Sequence, residues 1–257
     1  MAGRRTLLSA IVLITIQMSG MALGQSTPIS EIAPTGKLRM GTVGIEVVGG
    51  VAEPVGKFIA NRLGVSFEPI VYVTPEAWAQ SFGKGEWDIA IGPRVLASSE
   101  TSDVVSDLWL VDLIYVVAPG RGFADANQID RPGVKVGAIK GSPSDRYLTR
   151  TLKSAELVRI PLSPNIAAET IEMLRNGKAD LFGADSGVVY AAAKELPGAK
   201  ILPGAFSTVQ QTMVLPKGRS SAAQAKLAEL VAEAKRTGIV QKAIEGQGLR
   251  GVRVAPD

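Results

Sequence analysis

The segment Phe82-Gly83-Lys84-Gly85-Glu86-Trp87-Asp88-Ile89-Ala90-Ile91-Gly92 is echoed later in the chain by Leu174-Arg175-Asn176-Gly177-Lys178-Ala179-Asp180-Leu181-Phe182-Gly183. Both copies carry Gly-x-x-Asp followed by an apolar run. Upstream of each lies a hydroxyl residue followed by proline, Thr74-Pro75 and Ser163-Pro164. That pair predicts a helix N-cap with proline at the first helical position. Each copy therefore reads as helix, glycine stop, aspartate turn and short strand. A repeat of this size predicts two similar α/β lobes, and two lobes enclose a cleft.

Composition removes several kinds of chemistry. The 257 residues contain no cysteine and no histidine. Disulfides, thiolate nucleophiles, imidazole bases, Ser-His-Asp triads and the common zinc sites are thereby excluded. Lys and Arg form no run of five, and the net charge is only +4, which argues against nucleic acid as a partner. Arg4 and Arg5, the apolar stretch Thr6 to Ile16 and Ala22-Leu23-Gly24 have the order of a secretory signal, with cleavage near Gly24. The apolar stretch is shorter than the roughly 20 residues that span a bilayer. The expected product is a soluble exported chain with residues 25–36 as a loose polar leader.

Beyond the leader, strands are expected at 37–43, 67–73, 88–92, 108–117, 134–139, 157–160, 180–183 and 208–215. Between Val43 and Val51 the sequence Gly44-Ile45-Glu46-Val47-Val48-Gly49-Gly50 reads as a glycine-rich turn. Val51, Val55, Phe58, Ile59 and Leu63 then recur at helical spacing, stopped by Gly64. Further helices are expected from Thr74, Ser142, Ser163 and Gly187. Leu227, Leu230, Val231 and Ala234 mark a long amphipathic helix, with a shorter one through Ile239 and Ala243. Strands alternating with helices predict an α/β fold with mainly parallel sheets.

The strongest candidate for ligand chemistry is the turn Lys140-Gly141-Ser142-Pro143-Ser144-Asp145. A helix N-terminus offers unpaired N–H groups and partial positive charge to an anion. Gly141 would let a ligand approach the backbone, with Ser142 and Ser144 beside it. The same residues also read as an ordinary cap, with Asp145 closing a capping-box-like pair. Asp185 ends a strand, where open α/β sheets present groups to the crevice; it either meets an ammonium group or caps the following helix. Gly92 and Arg94 end the corresponding strand of the first lobe, and a guanidinium there could grip a carboxylate. Glu46 lies near the same edge. Asp88 and Asp180, at strand beginnings, read as turn residues. Trp78, Trp87 and Trp109 read as packing residues.

In this order, Gly85-Glu86-Trp87-Asp88-Ile89-Ala90, Gly137 to Ser142, Ala179 to Ser186 and Val214-Leu215-Pro216-Lys217-Gly218 resemble the periplasmic solute-binding proteins of polar amino-acid ABC importers (extracellular solute-binding protein family 3). The resemblance runs from Ile32 to the C-terminal helices. It implies the two-lobed type II periplasmic binding protein fold, in which two crossover strands join lobes at 37–115 plus 210–257 and at 118–207. It further implies a monomeric, non-enzymatic periplasmic protein without cofactor, which captures a small polar solute and contacts the membrane only through an inner-membrane permease. By the same resemblance Ser142 would meet a ligand carboxylate and Asp185 an α-amino group. A cyclohexadienyl dehydratase-like lyase and a stand-alone sensor are alternatives on the same fold. Three family features are absent. Ser98 to Glu100 contain no carboxylate-binding arginine, no aromatic-Pro-aromatic segment follows the first strand, and Val104 to Leu108 replace Phe-Ser-x-Pro-Tyr.

The signal segment makes the first testable prediction. N-terminal sequencing of the exported protein should begin near Gln25, and recovery of an intact Arg4-Arg5 segment from a membrane fraction would refute it.

Overall fold

The computed structural model describes residues 27–44 and 46–256; the expected signal segment lies outside them. In chain order the elements are α1 (Pro28–Ile32), β1 (Lys37–Val43), α2 (Glu46–Leu63), β2 (Ser66–Tyr72), α3 (Pro75–Gln80), β3 (Ile89–Pro93), β4 (Ser102–Val117), β5 (Lys135–Ile139), α4 (Pro143–Thr151), β6 (Glu156–Ile160), α5 (Ile166–Arg175), β7 (Leu181–Asp185), α6 (Ser186–Glu195), β8 (Lys200–Ile201), β9 (Ser207–Pro216), α7 (Ser221–Arg236), α8 (Ile239–Gly246) and β10 (Val252–Val254). No helix among the described residues is long and apolar enough to cross a membrane.

The strands follow the order β2-β1-β3-β9-β4-β7-β5-β6. β1 pairs in parallel with β2 and β3, and β5 pairs in parallel with β6 and β7. Between these units lie β9 and the long β4, antiparallel to each other over Ser102–Leu113. The far half of β4, Leu113–Val117, pairs with β7. β4 therefore belongs to both units, and β9 accompanies it across. Apolar packing divides in the same way. One core gathers β1, β3, α2, α7 and α8 around Met40, Ile59, Trp78, Trp109 and Leu227. Two smaller cores cover the faces of the β5–β7 unit, one around Phe182 and Met173 and the other around Leu148 and Leu181.

The repeated Gly-x-x-Asp motif does the same work in each unit. Gly85 and Gly177 both adopt positive φ, 70° and 65°, which glycine reaches without a Cβ clash. Asp88 then exchanges two bonds with β1: its N–H donates to the Arg39 carbonyl at 2.9 Å, and its Oδ2 accepts the Arg39 N–H at 2.9 Å. Asp180 repeats this with Lys135 of β5, at 2.8 Å in both directions. Each carboxylate also holds an arginine at 2.7 Å, Arg39 for Asp88 and Arg121 for Asp180. These aspartates are thus more than turn residues. They pin the first strand of each parallel unit to the last.

Several local expectations are corrected. Residues 46–50 are helical rather than part of a turn, since α2 begins at Glu46. Its glycines serve close packing: a Cβ at Gly50 would press on Gln247 of the segment after α8 at 2.9 Å, and one at Gly56 would collide with Met40 and Phe67. From Thr27 onward the expected leader is not loose. Thr27 caps α1, Ile32 is wholly buried in the first core, and Glu31 accepts the Ser220 N–H at 2.7 Å at the start of α7. Thr74 caps α3 as expected, accepting the Ala77 N–H at 3.1 Å. Ser163 does not cap α5. Its hydroxyl accepts the Asn165 N–H at 3.1 Å and donates to Glu169 at 2.6 Å, so the helix starts only at Ile166.

The Asp88 clamp yields a stability prediction. Asp88 is fully buried, so Asp88→Ala would strand Arg39 and open the β1–β3 junction. The expected loss is about 3 kcal/mol, the range for breaking a buried ion pair. Urea unfolding should show it, with a smaller loss for Asp180→Ala, whose side chain is less deeply buried.

Candidate functional site

A cavity of about 570 Å³ lies where the two parallel units face each other. Its floor is the crossover pair, through Val111 and Leu113 of β4 and Val209 and Gln211 of β9. One wall comes from the first unit, with Gly44, Val48, Pro75, Glu76 and Pro93. The opposite wall carries Ile139 and Lys140, Ser142–Ser144, the segment Leu162–Ala168, and Asp185 with Gly187, Val188 and Ala191. These positions follow from the topology: the carboxyl ends of β1, β3, β5 and β7 all open on this space, as in other open parallel sheets.

Of the residues expected from the sequence, Ser142, Ser144 and Asp185 line the cavity. Ser142 caps α4, accepting the Asp145 N–H at 3.2 Å, and its hydroxyl lies 2.8 Å from that of Ser144. Asp145 reaches back past the cap to accept the Gly141 N–H at 2.9 Å, a variant of the capping box, while the Ser142 N–H donates to the Ile139 carbonyl at 3.1 Å. The other Asp145 oxygen takes Thr149 Oγ1 at 3.1 Å and Arg159 Nε at 2.8 Å. The helix terminus is therefore already supplied with a carboxylate and a matching guanidinium. Asp185 caps α6, accepting the Val188 N–H at 3.2 Å. Burial pushes its pKa upward against the opposing pull of the Val188 and Gly187 N–H groups. Cap and cavity lining are the same residues here.

Gly92 and Arg94 do not line the cavity. A Cβ at Gly92 would lie 2.7 Å from the Trp78 ring, so this glycine exists to seat a buried indole. Arg94 turns outward, with its Nη1 donating to both oxygens of Asp107 at 3.0 and 3.1 Å. Strand-end position alone did not aim it, because β4 offers a carboxylate on the other side. The Glu46 side chain lies outside the described residues. Gly141 adopts φ +77°, yet what comes close to it is the protein itself: a methyl there would collide with the carboxylate of Glu76 from the opposite unit.

Two residues of the site were missed. Glu76 stands in the first turn of α3, just past the carboxyl end of β2, so the strand-end rule that singled out Asp185 also covers it. Gln211 is a polar residue inside the apolar run Val209 to Leu215. It is only 3% exposed, and its Oε1 has no hydrogen-bond donor.

No protein-family model matches the chain, and no curated protein matches it. Solved structures do. The L-cysteine solute receptor of Neisseria gonorrhoeae is 18% identical, with a TM-score of 0.68 over 89% of this chain and 99% of that one. An amino acid ABC transporter substrate-binding protein of Streptococcus pneumoniae bound to L-arginine is 20% identical, with a TM-score of 0.64 over 84% and 96%. An ancestral amino-acid-binding protein described as a precursor of cyclohexadienyl dehydratase also gives 20% and 0.64, over 86% and 99%. The chain has the two-lobed α/β fold of these proteins.

Asp185→Asn separates capping from charge. Asn caps a helix as well as Asp. A carboxyl whose pKa is higher folded than unfolded contributes stability that is complete below the unfolded pKa and is lost as pH rises through the folded one. The variant should therefore match the parent at acidic pH to within a few tenths of a kcal/mol and unfold at higher denaturant near pH 7. Equilibrium unfolding at both pH values measures this.

Proposed function

We propose that this protein is a solute-binding protein that captures a small polar solute between its lobes and delivers it to an inner-membrane ABC permease. The observation that carries the reading is the cavity itself. It is built from both parallel units and floored by the crossover pair, so a ligand inside touches every part that a hinge motion would move. Its volume suits a solute of amino-acid size, and the fold is that of proteins described as amino-acid receptors. Export to the periplasm, a monomeric state, and lobes at 37–115 plus 210–257 and at 118–207 belong to the same reading. So does a binding rather than a catalytic role. Without histidine or cysteine the cleft offers only carboxylates, hydroxyls, the amides of Asn165 and Gln211, and Lys140 to a substrate.

Mass action provides the test. A true ligand at 100 times its Kd stabilises the folded state by about 2.7 kcal/mol, which raises the Tm of a chain this size by roughly 5–10 °C. Scanning calorimetry against amino acids, amines, carboxylates and sugars should find such a shift. If no compound moves the Tm, the solute-binding reading fails; turnover of a bound compound would instead favour a lyase on this fold.

A further inference from the structure

Resting on that solute-binding reading, we infer that the ligand is an aliphatic ammonium ion carrying no carboxylate of its own, with its N–H groups received by Glu76, Asp185 and Gln211. Three observations converge. The first concerns the α4 terminus, where a ligand carboxylate would have to sit. That place is taken: Asp145 accepts the Gly141 N–H, Pro143 has no N–H to give, and the Glu76 carboxylate lies against Gly141 from across the cleft. A second negative group brought there would face Glu76 directly, and like charges in a partly desolvated site repel strongly.

The second observation is charge balance. Glu76 and Asp185 both line the cavity, while none of its lining residues is an arginine. Arg94 is held outside by Asp107, and Arg159 is spent on Asp145. Lys140 lines the cavity but is exposed to solvent, where water screens its charge. Among the described residues no cation pairs with Glu76 or Asp185. Burial already disfavours the charge on Asp185, and an incoming ammonium group would reverse that balance.

The third observation is independent of the acids. Gln211, 97% buried on the cavity floor, has a carbonyl oxygen without a donor. A buried acceptor left unmet costs free energy, and an ammonium group brings three N–H donors. Beside the polar Lys140, Ser142, Ser144, Ser163 and Asn165, the apolar part of the lining is aliphatic, with Val48, Val111, Leu113, Ile139, Val188 and Val209. It contains no aromatic ring to stack on, so the body of the ligand is a saturated chain rather than a planar one.

Calorimetric titration with four probes sharing a straight four-carbon chain tests this: n-butylamine, 1,4-diaminobutane, norvaline and pentanoate. One of the two amines should bind at least tenfold more tightly than norvaline, and pentanoate should give no heat. Glu76→Gln and Asp185→Asn should each weaken the amine at least tenfold without lowering the Tm of the ligand-free protein. Glu76→Gln should also narrow the gap between norvaline and the amine, which a merely structural role would not do. Tightest binding of norvaline or pentanoate, or unchanged amine affinity in both variants, overturns the inference and leaves the solute-binding reading standing. So does a neutral sugar found in the wider panel. Silence of every compound removes both.

Discussion

The paired bonds between Asp88 and Arg39 hold this molecule's architecture in register, and Asp180 with Lys135 repeats them. Parallel strands cannot be joined by a hairpin, so each parallel unit needs something other than a turn to fix the relative height of its strands. Here a buried carboxylate and its own backbone N–H grasp one residue of the neighbouring strand in both directions. That residue lies at the start of β1 or β5. The register chosen there is carried to the carboxyl ends, where Gly44 and Pro93 in one unit and Lys140 and Asp185 in the other reach the cavity. A slip of one residue would turn every side chain to the opposite face. The geometry of the cleft is therefore set at the far end of the strands from the cleft.

Much of this was legible because the repeat encodes it. A glycine with positive φ, an aspartate three residues on and an apolar run are local chemistry, readable without knowing what they pack against. Elements whose stability is entirely tertiary were not legible. α1 is five residues long, too short to persist alone, and exists because Ile32 finds the first core and Glu31 finds the start of α7. β10 is three residues added to the flank of β4. α2 reaches through Gly49, Gly50 and Pro54, residues that each weaken a helix in isolation. A Cβ would press on the Val43 carbonyl oxygen at Gly49 (3.1 Å) and on Gln247 at Gly50 (2.9 Å), so the packing demand overrides the local preference.

The site divides along the same line. Ser142, Ser144 and Asp185 were found because capping and strand-end rules are local to one unit. Arg94 was misplaced because its direction depends on Asp107, which the fold brings close through β4. Glu76 was missed although it follows the carboxyl end of β2, because Thr74-Pro75-Glu76 reads first as a capped helix turn. What the segment does not carry is its partner: the carboxylate lies against Gly141 of the other unit, and a contact between units has no trace in either segment.

That contact changes the meaning of the strongest motif in the sequence. A glycine turn leading into a capped helix is an anion site when its N–H groups are free and the opposite wall is neutral or positive. Here Asp145 consumes the first N–H from its own helix, and Glu76 supplies negative charge from the other unit. The dipole of α4 is then satisfied from within the protein, and the carboxylates left facing the cavity, together with the unmet oxygen of Gln211, ask for donors rather than acceptors. Closing the lobes without a ligand would bring Glu76 and Asp185 into a space of falling dielectric with no cation between them, so the empty closed state is the costly one. On the proposed solute-binding reading, an ammonium ion would remove that cost only in the closed arrangement, where both walls reach it, and the charges that select it would couple its arrival to closure.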